Sequence, residues 1–239
     1  METVSIEMSE GACDALLWLP EAPRHAVLWC PDALGIRPAN IRQCEKLAEW
    51  GVAVLMVNQF WRYYRPPFIT EGSQVGGEDQ EFAEQGMRNY KQFDFTGIDA
   101  DAPIWAEYLA ERSGLDTFSY VGFCMGGRVG IRVAAATGER CTHVTAFHPA
   151  YLIQDNPNSE HLLLDQVQCP VHFEYADDDP GANAEQRAEF AEAALEAGGT
   201  LTDDLHPGAL HGFMMEDRPV YAPEAAARGW EYLAGLYRD

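Results

Sequence analysis

Six consecutive residues, Gly122-Phe123-Cys124-Met125-Gly126-Gly127, carry the sharpest chemical signal in the chain. They follow an apolar run, FSYVGF, and open a helical pattern. That is the strand–turn–helix context of a nucleophile elbow of the G-x-S-x-G kind, with cysteine in the serine's place. So sharp a turn leaves no room for side chains at its flanking positions, which explains Gly122 and Gly126. It lifts the central side chain to the mouth of a sheet, where the N-terminus of the next helix favours a thiolate. The Met125 N–H then points to where an oxyanion would develop. The competing reading of Cys124 is a buried, inert thiol, and the two glycines in this context weigh against it. The spacing is not G-x-G-x-x-G, so this is no dinucleotide fingerprint.

A cysteine nucleophile needs a base, and the base needs a carboxylate to orient it, in the chain order nucleophile, acid, histidine. The run PVHFEY leads directly into Ala176-Asp177-Asp178-Asp179-Pro180, an acidic turn at the carboxyl end of a predicted strand. Open α/β sheets place their ligands there. On these grounds all three aspartates are candidates. Of the seven histidines, His211 alone has both the order and the setting, a small-residue loop (Gly208-Ala209-Leu210-His211-Gly212-Phe213) before the last helix. His206, close to a strand end, is its nearest rival. His143, His148 and His172 lie in or beside strands, His25 opens one, and His161 lies in a connecting segment. A further run, Phe60-Trp61-Arg62-Tyr63-Tyr64-Arg65, combines large aromatics with guanidinium groups. Its chemistry suits an apolar acyl-binding wall containing Phe60, with Arg62 as a clamp for a substrate carboxylate.

Positioning these groups requires a particular frame. Short apolar runs at 25–30, 52–57, 118–123, 143–148 and 170–175 read as buried strands, with a further strand over 200–205. Helical patterns over 40–51, 98–114, 128–138, 181–199 and 223–239 alternate with them, and most stop at or near glycine. TVSIEM and CDALLWLP are expected to form a leading hairpin. The alternation predicts an α/β fold with a mostly parallel central sheet and helices on both faces, in one domain spanning residues 1–239. Residues 58–97 are the anomaly, long for a loop and therefore a functional suspect.

Composition narrows the function. Sixteen Lys and Arg against 38 Asp and Glu give a net charge of −22, which repels phosphate backbones and anionic lipid. Nucleic acid and membrane surfaces are therefore not expected partners. No run of about eighteen apolar residues exists, and the polar, acidic start METVSIEMSEG does not resemble a secretory signal. Six cysteines without CxxC or Cys/His spacing suggest neither a disulfide framework nor a metal site, and a reducing cytoplasm is the expected compartment.

GFCMGGR, the acidic turn and HGF, in that order, resemble the dienelactone hydrolase family of the α/β-hydrolase superfamily. CPDALGIRPANIRQCEKLAEWGVAVLMVNQFWR is similar to the family's strand–crossover helix–strand segment, which ends in Tyr/Phe-x-Arg. HGFMMEDRPVYAPEAAARGWEYL is similar to its His-Gly/Ala-Phe, Arg-Pro-x-Tyr and final Trp-bearing helix. The resemblance implies an α/β-hydrolase fold with Cys124 as nucleophile, His211 as base and Asp179 as acid, although Ala176 replaces the usual glycine of G-x-x-D. It places the family's thiol-adjacent carboxylate at Asp32, one methylene shorter than the usual glutamate. The Ala33 N–H becomes the second oxyanion donor beside Met125. The family's carboxylate-binding arginine falls on Arg62. A second such arginine finds Met215 instead, and Arg218 follows within Arg-Pro-x-Tyr. The implied activity is hydrolysis of a small-molecule ester or lactone by acyl transfer, with no metal or organic cofactor. A broader carboxylesterase or thioesterase fits the same residues. A non-catalytic binding protein on this fold is the reading from another class, and it would be expected to have lost a triad member.

Overall fold

The computed structural model describes residues 1–63 and 80–238. Among them run eight strands: β1 (Glu2–Met8), β2 (Gly11–Trp18), β3 (His25–Cys30), β4 (Val52–Val57), β5 (Phe118–Phe123), β6 (Cys141–Phe147), β7 (Val171–Asp178) and β8 (Leu201–Leu210). Six α-helices accompany them: α1 (Pro38–Glu49), α2 (Gln80–Gln92), α3 (Ile98–Ser113), α4 (Gly126–Thr137), α5 (Ala184–Glu196) and α6 (Pro223–Tyr237). The strands form one sheet in the order β1-β2-β4-β3-β5-β6-β7-β8. The β1/β2 hairpin and its pairing with β4 are antiparallel, and every other pairing is parallel.

Burial follows from position in that order. Every residue of VAVLMV and FSYVGF is buried, as expected for central strands covered on both sides. The edge strand β1 instead alternates exposed and buried residues. Two apolar cores result. One packs β-strand side chains against Ile98, Trp105, Leu109, Val129 and Phe190 of α3, α4 and α5; the other packs them against Cys44, Leu47, Leu233 and Tyr237 of α1 and α6. Local signals agree with these boundaries. Pro38 and Pro223 open α1 and α6, an Asn183/Gln186 capping box opens α5, and Gly114 ends α3 in the left-handed conformation at φ +74°.

Two expectations needed correction. The segment 58–97 is not one long loop, because α2 and a short 3-10 turn over Phe95–Gly97 occupy its second half. Polar residues dominate α2 in sequence, and Gly86 interrupts it, so its pattern is faint. The glycine is explained by packing: a Cβ there would lie 2.3 Å from Leu34 Cδ2. Strand β8 is also longer than predicted, running through His206 to Leu210. Tyr64, Arg65 and the rest of 64–79 lie outside the described residues. No helix among the described residues is long and apolar enough to cross a membrane.

Candidate active site

The loops at the carboxyl ends of β3, β5, β6, β7 and β8 converge on one cavity of about 330 Å³. Cys124 sits between β5 and α4 at φ +57°, a left-handed conformation that a non-glycine residue adopts at a cost. The neighbouring glycines make it possible. A Cβ on Gly122 would stand 2.6 Å from the Gly126 carbonyl oxygen and 2.7 Å from the Tyr120 ring. The turn is fastened from outside, since Cys124 N–H donates to the Phe147 carbonyl at 3.0 Å and Tyr120 Oη donates to the Gly126 carbonyl at 2.7 Å. Of the six cysteines, Cys124 alone is not fully buried. Burial pushes the Cys30 thiol up to about 12 and the Cys13 and Cys44 thiols well above the usual range, which leaves them inert.

His211 stands immediately after β8 and Asp179 immediately after β7. Asp179 Oδ2 lies 2.6 Å from His211 Nδ1, and its other oxygen accepts the Gly181 N–H at 2.9 Å. With Nδ1 committed to the acid, the imidazole has its other nitrogen for Cys124, which lines the same cavity. Burial alone would lower the His211 pKa. The nearby Cys124, then the hydrogen bond and charge of Asp179, outweigh it and raise it to about 10. The other acids go elsewhere: Asp177 accepts the Gly208 N–H at 3.1 Å, and Asp178 is exposed. His206, the rival base, is buried against Glu174 and Arg228.

Ala33 and Met125 both line the cavity, and neither N–H has a hydrogen-bond partner among the described residues. Gln59 steadies the first of these loops, donating to the Pro31 carbonyl at 2.9 Å. Asp32 lines the same cavity, but its oxygens are engaged by Arg37 at 2.6 and 2.9 Å, with the Leu34 N–H adding a third bond. Arg37 is fully buried and also holds Asp217 at 2.5 Å, so it ties the Asp32 loop to the loop beyond His211. Burial opposes its charge, yet the two aspartates keep its pKa above the ordinary value.

Arg62 and Phe60 are not brought to this cavity. The Arg62 guanidinium is spent on buried Asp101, with bonds of 2.6 and 2.9 Å, and stacks on Trp61. Phe60 is a core side chain packed edge-on against Phe93. The arginine the cavity does contain is Arg218: its buried Nε has no partner, and no acidic side chain among the described residues pairs with it. Leu34, Met87, Tyr90, Tyr151 and Pro180 make the remaining wall largely apolar. Behind His211, with ring centroids 5.1 Å apart, lies buried His148. Burial first, then the nearby His211 and Arg218 charges, hold its pKa well below the usual value, so it remains neutral.

The chain matches the Dienelactone hydrolase family over residues 13–238. No curated protein matches it significantly. Among solved structures, a protein assigned as a dienelactone hydrolase from Klebsiella pneumoniae superposes with a TM-score of 0.83 at 18% identity, covering 99% of this chain and 97% of that one. A dienelactone hydrolase-like promiscuous phosphotriesterase from metagenomic libraries gives 0.77 at 19% identity, with 99% and 96% covered. Esterase 2 of Thermogutta terrifontis gives 0.68 at 15% identity, with 99% and 95% covered. At these identities the structural likeness is one of fold, the α/β-hydrolase architecture.

Proposed function

Because the chain belongs to the dienelactone hydrolase family of hydrolases acting on esters, we propose that it cleaves a small ester or lactone through a Cys124–His211–Asp179 triad. The observation that carries this reading is the Asp179–His211 hydrogen bond in one cavity with Cys124, which sits on a strained elbow beside two unpartnered N–H groups. The thiolate of Cys124 attacks the carbonyl carbon, and the Ala33 and Met125 N–H groups receive the oxyanion. As the tetrahedral intermediate collapses, the leaving oxygen takes the proton from His211 and a thioester remains on Cys124. His211, now neutral, takes a proton from water, whose oxygen attacks the thioester. Expulsion of the thiolate restores the thiolate–imidazolium pair. Asp179 fixes the imidazole tautomer throughout.

The cavity supports a statement about substrate. At about 330 Å³ it is near the lower end of small-molecule sites, roughly 300–1,000 Å³. In a chain of net charge −22, Arg218 puts into the cavity lining a cation with no acidic partner among the described residues. Arg218 therefore takes the role first expected of Arg62, holding a carboxylate on the substrate. Turnover of matched esters and lactones, with and without a free carboxylate, tests this. Hydrolysis abolished in Cys124→Ala and a preference for the acidic member are expected. Equal turnover of both members would remove Arg218 from recognition, and full activity in Cys124→Ala would remove the triad.

A further inference from the structure

Outside the cysteine cavity, on the sheet face covered by α6, β7 and β8 carry polar side chains at alternate positions in an otherwise apolar layer. They are His172 and Glu174 on β7, and Thr202, Asp204 and His206 on β8. The parallel register sets His172 beside Thr202 and Glu174 beside Asp204. One ligand atom from each of His172, Glu174 and Asp204 falls within 4.8 Å of the other two.

The surrounding bonds orient these atoms. Arg228 donates to His206 Nδ1 from Nε and Nη2, at 3.2 and 2.7 Å. His206 must then present its Nε2–H to Glu174 Oε2. That leaves Glu174 Oε1 facing His172 Nε2 at 3.2 Å, while His172 Nδ1 lies 2.9 Å from Thr202 Oγ1. The His172 ring is clamped by Tyr232, stacked at 3.7 Å. The two buried groups thus carry outer partners of the sort that hold metal ligands in place, Thr202 for the imidazole and His206 for the carboxylate. The charges are not balanced, however. The Asp204 carboxylate has no hydrogen-bond or ion-pair partner among the described residues and sits in register with the Glu174 carboxylate, an unfavourable pairing of like charges.

We propose that His172 Nε2, Glu174 Oε1 and an Asp204 carboxylate oxygen form a binding site for a divalent transition metal of the zinc type. A dication there cancels the two carboxylate charges, and one imidazole with two carboxylates is a donor set that suits it. The imidazole proton then resides on Nδ1, donated to Thr202, and water completes the coordination from the exposed Asp204 side. The ion would fasten the edge strand β8 to β7. His172 and Glu174 alternate along β7, but Asp204 lies on β8 and only the strand register brings it to them.

The test is calorimetric titration of chelator-treated protein with ZnCl₂. It is done in wild type and in Cys124→Ser, because the Cys124–His211 pair is a competing zinc ligand set. One saturable site per chain that persists in Cys124→Ser is expected, with a rise in Tm on zinc addition. Adding Asp204→Asn should weaken it at least ~10-fold and adding His172→Ala ~100-fold, by comparison with losses of outer-shell partners alone. His172→Ala removes a ring stacked on Tyr232 and is read only if its circular dichroism is native; exposed Asp204→Asn carries the test by itself. Absence of a saturable site in Cys124→Ser, or undiminished affinity after Asp204→Asn, overturns the proposal.

Discussion

Replacing Asp179 by asparagine probes the triad through a single atom. The carboxylate makes two bonds, Oδ2 to His211 Nδ1 at 2.6 Å and Oδ1 to the Gly181 N–H at 2.9 Å, and is 5% exposed. In asparagine the remaining oxygen must stay on the Gly181 N–H, so the new NH₂ faces Nδ1. Two donors cannot share that bond. His211 is forced into the tautomer with its proton on Nε2, which points that proton at Cys124 and removes the base. Lost tautomer control of this kind costs about a thousand- to ten-thousandfold in kcat, equivalent to about 4–5.5 kcal/mol of transition-state stabilisation. The assay is steady-state hydrolysis of an activated ester by Asp179→Asn, with Asp177→Asn and Asp178→Asn as neighbours of the same size. Circular dichroism guards against misfolding. The neighbours should stay within about threefold of wild type, since exposed side chains seldom matter to that extent. Retention of a tenth or more of kcat by folded Asp179→Asn, or a collapse of Asp178→Asn in its place, would refute the assignment.

Other outcomes follow from the same geometry. Arg218→Met should lower kcat/KM for acidic esters by ~10–100-fold, the worth of a charge-assisted contact, and leave neutral esters nearly unchanged. Arg62→Met should leave the acidic-to-neutral ratio untouched but lower stability in denaturant melts by about 1–3 kcal/mol, because it strands the buried Asp101 carboxylate. His211 should remain protonated well above neutral pH in an NMR titration, and Cys124→Ala should move its pKa down by deleting contributions that raise it. The linkage has a definite sign: a histidine pKa raised to about 10 adds stability in full below its unfolded value near ~6.5, and that stability is lost as pH rises toward 10. Tm should therefore fall between these limits in wild type and change less in His211→Asn.

Much of the site was legible because its signals are local. The elbow needs glycines within two residues of Cys124, and His211 and Asp179 each stand one residue past a strand end. The apolar runs of the central strands were equally plain, since burial on both faces leaves no polar interruption. What escaped were features decided by contacts between distant segments. Nothing within Phe60-Trp61-Arg62 reveals that Asp101, on α3, receives both Trp61 Nε1 and the Arg62 guanidinium. Conversely, Arg218 lines the cavity, and its neighbour Asp217 is held by the distant Arg37. His206 could be mistaken for a loop base until the full length of β8 put it opposite Ala176 and under α6. Helix α2 was hidden by its polarity, and its contact with the cavity runs through Gly86, Met87 and Tyr90.

The central claim is that Cys124 forms the covalent intermediate, and trapping that intermediate tests it most directly. The enzyme would be mixed with a slowly hydrolysed ester, quenched in acid within the first turnover, digested and mapped by mass spectrometry. The expected result is one acyl group per chain on the peptide containing Cys124, lost on hydroxylamine treatment and absent from Cys124→Ala, which does not turn over the ester. An acyl group on any other residue, or undiminished hydrolysis by Cys124→Ala, would contradict it.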